Sequence, residues 1–90
     1  MNAQAILAEH SIPGTEATAR VLREVRDNPG ASGYAISRGS ASGNSTRARQ
    51  NASFRLQQCV RGELVHRSWD GNRQMHYITE AGLAALEECA

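Results

Sequence analysis

Breaker residues cut this chain into pieces that suit only a small, mainly helical domain. Pro13-Gly14, Asn28-Pro29-Gly30, the run Gly39-Ser40-Ala41-Ser42-Gly43-Asn44, Gly62 and Asp70-Gly71 recur along 90 residues. Proline pushes its preceding residue out of helical geometry, and glycine turns freely. No apolar run approaches the roughly 18–20 residues of a membrane helix. The length predicts one domain, which buries roughly 60–65% of its unfolded surface and leaves little room for both a core and a deep cleft. Residues 1–10 lack the basic start and long apolar stretch of a signal peptide, so a cytoplasmic protein is expected.

The segments between breakers have clear periods. A short helix is expected at 2–10. Thr15 caps a helix over 15–27, whose stripe is Ala17, Thr18, Val21, Leu22 and Val25. Ser32 caps a shorter helix at 32–39 with Tyr34, Ala35 and Ile36. Asn44 or Ser45 caps a long helix at 45–61. There Ala48, Ala52, Leu56, Cys59 and Val60 share one face, while Arg47, Gln50, Asn51, Phe54, Gln57, Gln58 and Arg61 occupy the other. Phe54 lies off the apolar stripe, and it joins the core only if the register is shifted. Gly62 ends this helix. Residues 63–78 form a hairpin around Asp70-Gly71, the short-range signal for a tight turn. Thr79 caps a last helix at 79–89 with Ala81, Leu83, Ala84 and Leu86 available for packing. The fold class is mainly α with a small β-hairpin.

Charge clusters along the chain. All ten basic residues are arginine. Base composition accounts for the absence of lysine but not for the clustering. Residues 38–73 hold seven arginines against two acids, a net +5, while residues 1–37 sum to −1 and residues 74–90 to −3. Arginine's planar fork suits phosphate and guanine.

Chemistry-bearing motifs are scarce. Cys59 and Cys89 are too few for a disulfide framework or a cysteine zinc site, and are expected as reduced thiols, Cys59 buried and Cys89 near the end. His66 and His76 can face each other across the hairpin, but without a carboxylate or cysteine nearby they read as surface strand residues. Tyr34 and Tyr77 read as core or half-buried, and Trp69 as packing at the hairpin base. No glycine-rich phosphate loop, nucleophile elbow or metal-ligand spacing is present, so neither catalysis nor a cofactor is expected.

The order helix, helix, turn, helix, hairpin, helix resembles the winged helix-turn-helix family of DNA-binding domains. The stretch Leu56-Gln57-Gln58-Cys59-Val60-Arg61-Gly62-Glu63-Leu64-Val65-His66-Arg67 looks like the end of a recognition helix entering the first wing strand. Tyr77-Ile78-Thr79-Glu80-Ala81-Gly82-Leu83-Ala84-Ala85-Leu86 is similar to the second wing strand and following helix of bacterial multiple-antibiotic-resistance-type and phenolic-acid-type regulators. The resemblance covers residues 15–88. It departs from the family at Gly39 to Gly43, where a larger aliphatic residue is usual.

The resemblance implies a winged helix-turn-helix domain over 15–90, with residues 1–14 as an arm or dimer contact. The third helix would enter the major groove, with Arg47, Gln50, Asn51, Ser53 and Phe54 toward base edges, and Ser45 and Thr46 at its start would also contact DNA. Phe54 would touch a thymine methyl. Arg38, Arg49, Arg55 and Arg67 would hold phosphates. Asn72 and Arg73 at the wing tip would reach a minor groove or the backbone. The implied function is sequence-specific double-stranded DNA binding by a homodimeric transcriptional regulator, pairing through residues 2–12 and the last helix. The alternatives are a winged-helix module that binds protein through Phe54 and Trp69, and a nonspecific nucleic-acid binder.

Overall fold

The computed structural model describes residues 16–89, the side chain of Cys89 excepted. The helix expected at 2–10, the Thr15 cap and the Cys89 thiol lie outside the described residues. Helix α1 (Glu16–Asp27) is followed by α2 (Gly33–Ser40), α3 (Thr46–Arg61), strands β1 (Val65–Asp70) and β2 (Arg73–Ile78), and α4 (Glu80–Cys89). None of these helices is long and apolar enough to cross a membrane.

α1 buries Thr18, Val21, Leu22 and Val25 as its period requires, and Ala19 with them. At Pro29-Gly30 the chain turns with Gly30 at φ +86. The Gly30 amide then donates to the His76 carbonyl (2.9 Å) and the His76 amide to the Ala31 carbonyl (3.1 Å). This antiparallel bridge lays the α1–α2 connection along β2. Ser32 caps α2, accepting from the Ala35 amide at 3.1 Å. α2 buries Ile36, Ser37 and Ser40. Its Tyr34, expected in or near the core, is instead 69% exposed. Two residues before Ile36, it points to another side of the helix.

Ser45 caps α3, accepting from the Ala48 amide at 3.0 Å. Ala52, Leu56 and Cys59 are buried, and Ala48 and Val60 half-buried. Gly62 closes α3 without a positive φ. Glu63 takes the left-handed conformation at φ +63. The Glu63 amide donates to Val60 (3.1 Å) and the Leu64 amide to Cys59 (2.9 Å), the crossed pair of a Schellman cap.

The hairpin pairs Val65 with Ile78, His66 with Tyr77, Arg67 with His76 and Asp70 with Arg73. Its central turn residues are therefore Gly71-Asn72, with Gly71 at φ +63. Glycine first in a two-residue turn is the type II′ arrangement. This register is one residue away from one that would set His66 opposite His76. The two histidines lie on opposite faces of the ribbon, because a one-residue slip exchanges the faces. His76, expected at the surface, is fully buried.

Thr79 joins the hairpin base to α4. Its amide donates to the Leu64 carbonyl at 3.1 Å. Its hydroxyl donates to the Glu63 carbonyl (2.7 Å) and accepts from the Gly82 amide (3.0 Å). Ala85 and Leu86 of α4 enter the core with Leu22, Ile36, Leu56, Leu64 and Val65. Leu83 and Ala84, expected to pack, are exposed, while Ala85 and Leu86 of α4 are buried.

Candidate nucleic-acid interface

α3 positions the candidate site. Arg47, Gln50, Asn51 and Phe54 are all exposed, at the i, i+3, i+4, i+7 spacing of one helical face. The opposite face anchors the helix through Ala52, Leu56 and Cys59. Phe54 is 60% exposed, so the helix has the register that keeps it out of the core. Its neighbours on that face are a guanidinium and two carboxamides, which offer planar arrays of donors and acceptors.

The remaining candidates are placed less uniformly. Thr46, Arg38, Asn72 and Arg73 are exposed, Arg38 near the end of α2 and the others at the start of α3 and at the hairpin tip. The Ser45 hydroxyl is occupied as the α3 cap. Ser53 and Arg49 are half-buried, and with Tyr34, Ser37, Thr46 and Gln50 they line a groove of about 240 Å³ between α2 and α3. Arg49 donates a terminal nitrogen to the Asn44 carbonyl at 2.9 Å, tying α3 to the preceding turn. Arg55 is half-buried and donates to Gln58 Oε1 at 3.2 Å.

Arg67 works inside the molecule. One terminal nitrogen donates to Gln57 Oε1 of α3 at 3.0 Å, and its Nε donates to His76 Nε2 at 3.1 Å. A guanidinium has no acceptor, so His76 Nε2 must accept. The imidazole proton then sits on Nδ1, which donates to the Ala31 carbonyl at 2.9 Å. This chain of bonds joins the α1–α2 connection, both strands and α3. Burial holds the His76 pKa below the ordinary histidine value. The Ala31 hydrogen bond opposes that shift, and the Arg67 charge adds to it. The hairpin thus lies against α3 at Gln57, one turn beyond Phe54.

The sequence reasoning missed two features. Trp69, expected to pack at the hairpin base, is 63% exposed near the tip, where Asp70, Gly71, Asn72 and Arg73 are exposed as well. Arg20 of α1 donates Nε to the Ser40 carbonyl at 3.3 Å, which brings it to the turn before α3. It lies in a charge-balanced segment, so clustering gave it no signal. Among the described residues, no three histidine, cysteine or carboxylate groups gather where they could hold a metal ion. Comparisons of the chain with protein-family models, with curated proteins and with solved structures find no match.

Proposed function

We propose that this chain is a winged helix-turn-helix protein that binds double-stranded DNA in a sequence-specific way and acts as a transcriptional regulator. The observation that carries this reading is the outer face of α3, where Arg47, Gln50, Asn51 and Phe54 are exposed together on a helix anchored by Leu56 and Cys59. Arginine bridges O6 and N7 of guanine, the carboxamides bridge N6 and N7 of adenine, and the phenyl ring packs on a thymine methyl. Each bidentate pair contributes about 1–3 kcal/mol of base discrimination. The hairpin serves as the wing, presenting Arg73 at its tip. Two copies read a palindrome, and pairing through α4 keeps Glu80, Glu87 and Glu88 away from the duplex.

The test is selection of bound fragments from a random duplex pool at two salt concentrations. A palindromic consensus is expected, with affinity falling steeply as salt rises. Arg47→Ala or Asn51→Ala is expected to relax the consensus with the fold intact. Arg73→Ala is expected to weaken all sequences equally and reduce the salt slope by about 1. If neither change alters duplex binding, the reading fails. Recovery of random sequence would make the chain a nonspecific binder.

One observation favours a second reading. Tyr34, Phe54 and Trp69 are each more than half exposed, at 69%, 60% and 63%. Exposed aromatics are enriched in protein interfaces. A protein partner held by these rings would bind with little dependence on salt.

A further inference from the structure

α1, the α2–α3 turn and α3 border an open cavity of about 230 Å³. Arg20 and Arg55 both line it, together with Ser40, Ser42, Asn51 and Phe54. Both arginines are half-buried, and neither forms an ion pair among the described residues. Their neighbours on α1 differ, since Arg23 is paired with Glu16 and Arg26 with Asp27. Among the described residues, Arg20 bonds through its Nε alone, to the Ser40 carbonyl. Among the described residues the buried Nε of Arg55 has no hydrogen-bond partner, while one terminal nitrogen donates to Gln58 Oε1. A guanidinium stays charged and carries five donors. Two of them drawn partly out of water beside one polar cavity, without a carboxylate, leave positive charge and open donors unmatched.

We propose that this cavity is a phosphate-binding site, with Arg20 and Arg55 as its charged ligands and Ser42 as a neutral donor. The arginine fork fits two phosphate oxygens at once, and the hydroxyl serves a third. The position of the cavity connects it to the DNA-binding reading, on which its role in a duplex complex rests. Arg55 and Gln57 are two residues apart and so lie on opposite sides of α3. Gln57 faces the hairpin through Arg67. A helix about 10–12 Å across fills a major groove about 12 Å wide, so its two sides meet two different sugar–phosphate walls. The hairpin lies along one wall, and the cavity takes a phosphate of the other. A free phosphorylated small molecule offers the same chemistry.

The experiment titrates the isotope-labelled full chain with sodium phosphate at constant ionic strength, following the amide and arginine Nε resonances. Saturable shifts are expected at Arg20, Arg55 and Ser42. The double variant Arg20→Gln/Arg55→Gln is expected to bind phosphate at least about tenfold more weakly. If it loses its dispersed spectrum, Arg20→Lys/Arg55→Lys keeps the charge, removes the fork and is expected to bind more weakly while folded. Shifts that do not saturate, or that fall equally on exposed Arg38, Arg47 and Arg73, overturn the site. So does a folded variant that binds phosphate as tightly as the wild type. A second arm measures duplex affinity against salt. A drop of about 0.9 in the logarithmic slope of the variant assigns the phosphate to the DNA backbone. An unchanged slope in a variant that has lost the phosphate binding of the wild type assigns it to a free phosphorylated compound. A wild-type chain that binds no duplex refutes the proposed function but leaves the phosphate titration to decide the site.

Discussion

Gly82→Ala tests how α4 is seated on the hairpin base. In an open helix interior this change is stabilising by about 0.8–1 kcal/mol, because alanine is the better helix former. Here a methyl at residue 82 would overlap the Leu64 carbonyl oxygen and come within 2.7 Å of Ile78 Cγ1. The first obstacle is backbone, and that carbonyl already accepts from the Thr79 amide at 3.1 Å. Overpacking of this kind costs about 1–3 kcal/mol, and weakening the Thr79 bond adds about 0.5–1.5. Set against the propensity gain, the net loss is about 0.5–3.7 kcal/mol. In a domain of this size that lowers the melting temperature by roughly 2–30 °C. Gly39→Ala is the control. Its methyl would meet only the Glu24 carboxylate, the end of a flexible side chain at an exposed position. It is expected to be neutral or stabilising by up to about 1 kcal/mol. Thermal unfolding followed by circular dichroism reads both. If Gly82→Ala melts at or above the wild type, the close seating of α4 on Leu64 is wrong.

Other outcomes follow from the core, the α3 cap and the buried histidine. Leu56→Ala removes a fully buried side chain from the centre of the core and is expected to cost about 2–5 kcal/mol in urea unfolding. A cost near zero would mean the anchored face of α3 is misassigned. Glu63→Gly is expected to stabilise by about 0.5–1 kcal/mol, since Glu63 holds a left-handed conformation that glycine adopts without strain. A loss of stability in the same assay would contradict the Schellman geometry. His76 has a folded-state pKa below its unfolded value of about 6.5, so its contribution is full above that pH. The contribution is lost as pH falls below 6.5 toward the folded value, because the unfolded state takes up the proton first. Stability is expected to decline on acidification from pH 8 to 5, with a smaller decline in His76→Gln. Equal slopes for the two proteins would remove His76 as the cause.

The parts of this fold legible in the sequence are those set by neighbours along the chain. Ser32, Ser45 and Thr79 were readable as caps because a cap bonds an amide three residues on. The α3 stripe was readable because burial repeats with the helical period, and Phe54 off that stripe did face solvent. What escaped depends on which element packs where. His76 looks like any strand residue until the Gly30-Ala31 connection is laid over β2. Asp70-Gly71 announced a hairpin, but the turn centred on Gly71-Asn72 sets Tyr77, not His76, opposite His66. Trp69 and Tyr34 have the composition of core residues. Position alone exposes them, one near the hairpin tip and the other off the buried side of a short helix. The exposed face of α3 was legible for the same reason as its stripe, whereas Arg20 reaches the site only through the packing of α1 against α2.

The placement of Arg67 changes how the hairpin relates to α3. Read from charge, it is one more phosphate ligand in a basic segment. In the folded chain its Nε and one terminal nitrogen are spent on His76 and Gln57. Under the proposed function it therefore acts on DNA mainly by fixing where the hairpin stands beside α3, and other arginines, exposed Arg38, Arg47 and Arg73 among them, meet the duplex. The two roles have different signatures. Loss of a phosphate ligand lowers the salt slope by about 1 for every sequence. Loss of a hinge fastener leaves the count of phosphates nearly the same but lets the hairpin move relative to α3. Arg67→Gln is accordingly expected to change the fluorescence of Trp69, two residues along β1, in the absence of DNA. Arg73→Ala is expected to leave that signal unchanged and to reduce the salt slope. If Arg67→Gln lowers the salt slope with no change at Trp69, Arg67 is a phosphate ligand after all, and its bonds to Gln57 and His76 do not hold the hairpin in place.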